Sequence, residues 1–458
     1  MLGDDMMAIE LKRTEQSNYT IIKIMKGKIE ETTVGVEAGC GIRVLVDGVY
    51  GFAFGPIDQE RQIREMAIKT AKASKSFVKE SVQLPEDLPT HQDTEKIIGS
   101  KPLLDYSFED KVNLALECDK NMEGELIKAR STTYHEIIRR VTIETSWGTK
   151  IESERPYVML YSSATAKYSD KTSEGRTRTG HIGGFEIFDR DPPATVAQKA
   201  REKAEKGVKI QRIKPGRYSV VLGGELNHLF AHEAAGHPNE ADTARVRSVL
   251  RGKLGKKIAA SNVNLVDDAL LEQVNGIRTF GFMKYDDEGT PGQRTEIIKD
   301  GILQTYMTDL ATAQYWGLKP TGNARAQFYS SIPMVRMTNT FIEAEKDPLS
   351  REEVLETVKN GFLLKSGGGG QVDSIRGTFN FGCDEVYQIV NGEIGERYSP
   401  TTLTGNTLAT LKAIMGISNE KEDPPSSIGF CGKGTKPQSI PNGTSGGWFA
   451  VKSILIGG

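Results

Sequence analysis

The most constraining stretch of this 458-residue chain is His232-Glu233-Ala234-Ala235-Gly236-His237, set within Leu226 to Asp242 (LNHLFAHEAAGHPNEAD). Only six histidines occur in the chain, and three of them, His228, His232 and His237, fall within ten residues here. A histidine pair with a glutamate directly after the first has the composition of a zinc hydrolase site. Two neutral imidazoles hold the metal, and the carboxylate takes a proton from the attacking water. In the common form of this motif the histidines are four apart and share a helix face. Here they are five apart. At ~3.6 residues per turn, five residues rotate by ~500°, so the two rings of a regular helix would point ~140° apart. One wide π-type turn at Gly236 brings them back toward one side, and glycine tolerates that distortion. Spacing alone leaves the ligand set open. His228 and His232, at i and i+4, share a face of an undistorted helix, and Glu240 and Asp242 follow closely as carboxylate candidates.

What precedes the motif says how it is held. Tyr218–Gly224 (YSVVLGG) reads as a short buried strand that ends in Gly223-Gly224 and runs directly into the histidine stretch, a rigid way to present a site. Lys214-Pro215-Gly216 breaks the pattern before it and places a domain boundary near residue 212. Residues 1–212 read as an α+β domain. A hairpin in Tyr19–Gly35 turns at Lys26-Gly27-Lys28, and a second in Gly41–Gly55 turns at Asp47-Gly48. A helix follows over about Gln59–Lys79, and Ser107 caps another through Val112 and Cys118. From Tyr134 the strand pattern returns, and a charged helix closes the region over Ala194–Gly207. The order strands, hairpin, strands, helix thus occurs twice, a hint of internal duplication. Residues 213–458 read as a β-rich domain carrying the metal-binding helix, with short helices over Arg351–Asn360 and Asn406–Met415. Gly367, Gly368, Gly369 and Gly370 run consecutively, as a close-approach backbone for a ligand or as a flexible surface loop. The run lacks the Lys-Ser/Thr ending of a phosphate-binding loop.

Bulk properties exclude some classes. Lys+Arg 59 against Asp+Glu 61 leaves a net charge of −2, without the footprint of a nucleic-acid binder. No run approaches the ~20 apolar residues needed to cross a bilayer. The opening MLGDDMMAIELKRTEQ is acidic where a signal peptide is basic, so a cytoplasmic location is expected. Four scattered cysteines suit a reducing compartment. Among them Cys431, in GFCGKG, has the surroundings of a loop thiolate held near a metal. It competes with His228, Glu240 and Asp242 for the third ligand position.

Six stretches then point to one family: HEAAGHPNEAD, DDEGTPGQRT (Asp286–Thr295), TGNARAQ (Thr321–Gln327), VRMTNTFIEA (Val335–Ala344), GGGGQVD and GFCGKGTKPQSIP. Together and in this order they resemble the TldD/PmbA metalloproteases over essentially all of the chain from residue 214, and IRVLVDGVYGFAFG is similar too. The resemblance implies that His232, His237 and Cys431 hold Zn2+, that Glu233 is the general base, and that His228 is not required. It places the chain in the zinc-bearing TldD branch, whose partner, the PmbA or TldE branch, lacks these residues. It implies hydrolysis of unfolded or linear peptides by a heterodimer with a PmbA/TldE-like paralogue, or by a homodimer. Arg325, Arg336 and Gly367–Gly370 are expected along the peptide channel. One departure is Pro238-Asn239, where many members carry glycine and an apolar residue. The rival reading is a non-catalytic assembly subunit whose metal only staples Cys431 to the helix. A structural site would want a fourth ligand and has no use for Glu233.

Overall fold

The structure, a computed structural model, describes residues 9–422, 429–434, 437–443 and 446–457. The first eight residues of the acidic N-terminal stretch, and Thr435 and Lys436 of the late motif, lie outside the described residues. Strands and helices mix throughout, and the fold is α+β.

The first layer is a sheet of long antiparallel strands: β1 (Ile9–Met25), β2 (Lys28–Val46), β3 (Val49–Gly55), β5 (Ile127–Thr145), β6 (Lys150–Tyr168) and β7 (Lys171–Ile182). Their spatial order is β3-β2-β1-β5-β6-β7, and β4 (Gln92–Lys96) runs parallel to the start of β6. The two-residue turns fall at Lys26-Gly27 and Asp47-Gly48, where all four residues adopt the positive φ that a tight hairpin demands. Burial along β1 changes face midway. Leu11, Arg13, Glu15 and Ser17 are buried on one side, and Ile22 and Ile24 on the other. Helix α2 (Phe108–Asn121), started by a Ser107/Asp110 capping box, covers the second side with Val112, Ala115 and Cys118. The second part of the chain meets the first, where Asp287 pairs with Arg13 and the Gln327 carbonyl accepts from Arg139.

The duplication hinted at by the sequence has a physical counterpart in the sheet. β1 and β5 pair at its centre, and each half ends with a helix lying on its outer strand. Helix α1 (Glu60–Ser74) crosses Gly51 of β3, where a Cβ would stand 2.0 Å from Ala67 O and 2.6 Å from Ala71 N. The helix Pro193–Gly207 crosses Gly175 of β7, where a Cβ would stand 2.1 Å from Ala200 O and 2.5 Å from Ala204 N. Both contacts are the same glycine-on-alanine approach, four residues apart on each helix.

A nine-stranded mixed sheet forms the second layer, with β8 (Gly216–Leu222) inside it. β8 pairs in parallel with Gly361–Leu364 and antiparallel with Phe449–Ile456. Gly367–Asp373 is an edge strand of this sheet, paired only with Thr378–Cys383 among the described residues. The glycine run is therefore strand, not surface loop. A four-stranded sheet containing Asn264–Asp268 and Thr340–Glu343 packs against it. The helix Arg351–Val358 starts at a Ser350/Glu353 capping box. The expected Asn406–Met415 helix spans only Thr407–Lys412, because Ile414–Ile417 is claimed as a strand by Phe449–Ile456. Ion pairs join the layers: Arg13 Nε to Asp287 at 3.0 Å, and Arg43 to Glu288.

Candidate metal centre

The chain leaves β8 through Gly223 and enters a helix over Gly224–Leu229. Asn227 anchors that helix. Its Nδ2 donates to the carbonyls of Ile342 (2.9 Å) and Gly447 (2.8 Å), and its Oδ1 accepts from Ile342 N–H at 2.7 Å. From Phe230 to Gly236 the coil widens into a π-helix, and the His237 N–H donates to the carbonyl of His232, five residues back. The Thr407 hydroxyl donates to the Ala234 carbonyl at 2.6 Å. A wide turn leaves carbonyls without regular helical partners, and this buried donor satisfies one of them. Gly236 keeps right-handed helical angles, φ −67° and ψ −59°. Glycine is needed there for room, because a Cβ would stand 2.1 Å from Met337 Sδ.

The wide turn has the expected effect on the rings. His232 and His237 lie with ring centroids 5.0 Å apart at 85°, and one ligand atom from each of His232, Glu233, His237 and Cys431 falls within 4.8 Å of every other. His237 Nε2 is 3.1 Å from Cys431 Sγ and 3.8 Å from Glu233 Oε2. Its Nδ1 is held by Glu240 Oε2 at 3.0 Å, which aims Nε2 into the cluster. His232 is 4% exposed, and neither ring nitrogen has a hydrogen-bond partner. His228 differs: its Nδ1 donates to Thr340 O at 2.9 Å, and it does not belong to the cluster.

Cys431 arrives on a two-stranded hairpin, Gly429–Lys433 with Gln438–Asn442. Two cations, the buried Arg336 and the half-buried Lys433, tie the hairpin down. Arg336 donates to Cys431 O at 2.5 Å and to Gln438 O at 2.9 Å. Lys433 Nζ reaches Asp242 Oδ1 at 2.7 Å and Glu240 Oε2 at 3.0 Å. Pro238-Asn239 keeps the chain on course after the ligand. The Asn239 side chain donates to Thr305 O and accepts from Met307 N–H, stapling the turn to the neighbouring segment.

Burial, together with the neighbouring His237 and His228, holds His232 far below its usual range and hence neutral. Burial likewise raises the Glu233 carboxyl. Burial works against protonated His237, but the Glu240 carboxylate and the Cys431 sulfur outweigh it and push the ring well up. Glu240, despite complete burial, is pulled down to about 2 by Lys433 and His237.

A pocket of about 360 Å3 opens over the cluster, with Gly367, Gly369 and Gly370 of the edge strand along one side. Arg325 and Arg336 do not line it. They are 5% and 1% exposed, and their guanidinium groups donate to backbone carbonyls, Arg325 to Met337 O and Arg336 to the hairpin. Both were expected along the peptide channel, and burial against carbonyls keeps them out of this pocket's wall. Two neighbours of the cluster were not singled out from the sequence. Arg178 of β7 enters the pocket and pairs with Glu225 at 2.7 Å, and no local pattern announces it. Lys433 follows Cys431 by two residues, the strand period that puts both on one face, and could have been found.

Sequence profiles of one family match nearly the whole chain. They are described as PmbA/TldA metallopeptidase domain 1 (residues 13–75), central domain (101–208) and C-terminal domain (215–458). The chain belongs to this PmbA/TldD metallopeptidase family. A metalloprotease of Methanocaldococcus jannaschii is 35% identical over 93% of this chain and 92% of its own length. A zinc metalloprotease TldD homolog of Saccharolobus solfataricus is 31% identical over 100% and 97%. The crystal structure of TldE from Thermococcus kodakarensis shares the fold, with a TM-score of 0.71, 18% identity, and coverage of 98% of this chain and 97% of that one. No helix among the described residues is long and apolar enough to cross a membrane.

Proposed function

We propose that this protein is a zinc-dependent peptidase that cleaves unfolded or extended peptides. The observation that carries the reading is His232, buried with both nitrogens unpartnered, beside His237 Nε2 and Cys431 Sγ. Orphaned buried imidazole nitrogens are costly, and a divalent metal relieves that cost. Two imidazoles and a thiolate are a three-ligand set, which leaves a further position open and speaks against a purely structural staple. A metal so held supplies Lewis acidity toward the scissile carbonyl and lowers the pKa of water.

The remaining chemistry belongs to the chain. A Glu233 carboxylate oxygen accepts the proton of the attacking water and returns it to the leaving amine, and the raised carboxyl suits both transfers. Glu240 fixes the ring of His237, while Arg336 and Lys433 hold the thiolate in place. The edge strand Gly367–Asp373 offers free main-chain groups beside the cluster. An extended peptide adding to that edge is held by backbone hydrogen bonds, so shape is read more than sequence. Folded proteins present no such strand. The partner is a TldE-like paralogue or a second copy of this chain, and co-purification reads which.

The test compares a destabilised variant of a small protein with its stable parent at equal concentration, with and without a chelator. Cleavage of the unstable form alone, abolished by the chelator, is the expected result. Equal rates for both forms, or chelator-resistant cleavage, would overturn the reading.

A further inference from the structure

A second site lies where the two layers meet, in a cavity of about 30 Å3 bordered by four arginines, Arg13, Arg139, Arg155 and Arg325, and one carboxylate, Asp287. Arg139 and Arg155 are directly opposite each other on β5 and β6, an arrangement of like charges that normally destabilises a sheet. The carboxylates in reach are too few. Arg13 bonds Glu15 at 2.5 Å and Asp287 at 3.0 Å, Arg139 shares Glu15 at 3.2 Å, and Arg155 bonds Glu95. Three carboxylates thus serve four guanidinium groups. Arg325 is left over. It is 5% exposed, and its single hydrogen bond among the described residues goes to the Met337 carbonyl at 2.6 Å. Burial, reinforced by nearby Arg336 and Arg155, brings its guanidinium down to about 10, against the opposing influence of Tyr157 and Asp287. Asp287 lines the cavity but is bonded to Arg13, and a buried charge without an ion pair of its own is unfavourable.

The cavity admits more than the ~10–15 Å3 a single water requires, but no bulky ion. It also has a neighbour. An apolar pocket of about 380 Å3 shares Arg139 and Tyr157 with it, and shares Phe430 with the pocket over the metal cluster.

We propose that this cavity is an anion site, which takes chloride or the carboxylate of an acidic peptide side chain and supplies the missing negative charge between the layers. Three of its arginines belong to the first sheet and the fourth to the second part of the chain, so the anion also fastens one to the other.

Thermal melting of the metal-loaded protein tests this, with sodium chloride or sodium acetate titrated against the sodium salt of HEPES at fixed pH and ionic strength. HEPES is too large for the cavity. A saturable rise of a few degrees in Tm is expected with both small anions, and Arg325→Met should abolish it. Flat melting in both salts overturns the proposal, as does an unchanged rise in Arg325→Met. Should that variant fail to fold, wild-type crystals grown in sodium bromide decide. An anomalous peak among Arg139, Arg155 and Arg325 is expected, and its absence overturns the site. The source of the carboxylate rests on the peptidase reading and is measured separately. Peptides differing only by Glu for Gln at successive positions should show one position where Glu lowers KM and chloride competes. Equal KM throughout assigns the site to the free anion. Because melting requires no hydrolysis, failure of the peptidase reading and failure of the anion site are distinguishable.

Discussion

Replacing Glu240 by Gln keeps the length of the side chain and removes its charge, which isolates what that charge does for the metal ligands. Glu240 is fully buried, holds His237 Nδ1 and Lys433 Nζ at 3.0 Å each, and lies 3.7 Å from Arg336 Nε. Loss of an outer partner of a ligating histidine typically weakens metal binding by ~10–100-fold, which is ~1.4–2.7 kcal/mol. Glu240 should fall in the upper half of that range, since it orients the His237 ring and neutralises both cations that fasten the Cys431 hairpin. Folding stability should fall as well, by ~3 kcal/mol, the lower end for breaking a buried pair. Lys433 retains Asp242 at 2.7 Å and Arg336 retains its two carbonyls, which limits the loss. Equilibrium competition with a chromophoric zinc chelator reads the affinity, and melting of the metal-free protein reads the stability. Asp242→Asn is the control. It disturbs Lys433 but not His237, and should lower stability with little effect on affinity. If Glu240→Gln binds zinc as tightly as the parent, the carboxylate does not position the ligand and the reasoning fails.

Other outcomes follow from the same geometry. Glu233→Gln should retain zinc and lose roughly 10²-fold or more in kcat, whereas loss of metal together with activity would make Glu233 a ligand. Cys431→Ala should weaken zinc sharply and His228→Ala should not, as read by metal content after dialysis; the reverse pattern would refute the ligand set. Burial raises the Glu15 carboxyl, but Arg139 and Arg13 outweigh it and bring it from 4.5 to about 2. Glu15 therefore stabilises the fold above pH ~4.5 and loses that contribution as pH falls toward 2, at most roughly 3 kcal/mol. Glu15→Gln should flatten this part of the acid-unfolding curve, and an unchanged slope would count against the pairing. Gly51→Ala should lower stability by about 1–3 kcal/mol through overpacking against Ala67 and Ala71. Gly395→Ala, whose Cβ would meet nothing closer than 3.6 Å, should not, and equal melting of the two variants would argue against the close helix crossing.

The approach of His232 to His237 was legible because helix geometry is local. An offset of five residues from His232 to His237 demands a wide turn, and a wide turn is what the chain forms. Hairpins at Gly27 and Gly48 were legible for a similar reason, since positive φ selects glycine. The helix caps at Ser107 and Ser350 were visible as short-range hydrogen-bond patterns. What stayed hidden depends on pairing across long separations. Nothing near Tyr19 says that it lies opposite Ile137, and nothing near Arg178 says that it meets Glu225. The arginines misled for a definable reason. Arg336 has the composition of a surface residue, yet its neighbours in space are carbonyls of a hairpin roughly a hundred residues away.

On the proposed function, the hairpin also sets when the site can be completed during the protein's own synthesis. His237 meets a sulfur 194 residues further along the chain. A ribosome-bound chain that has already emitted His232, Glu233 and His237 still lacks the thiolate and the lysine that fastens it. Closing so long a loop is entropically unfavourable until the intervening sheet has formed. On the proposed function, segments still awaiting their partners are the form of substrate the site would accept. If Cys431 is a ligand as proposed, its place far downstream would withhold peptidase activity from the nascent chain until little of it remains unfolded enough to be cut.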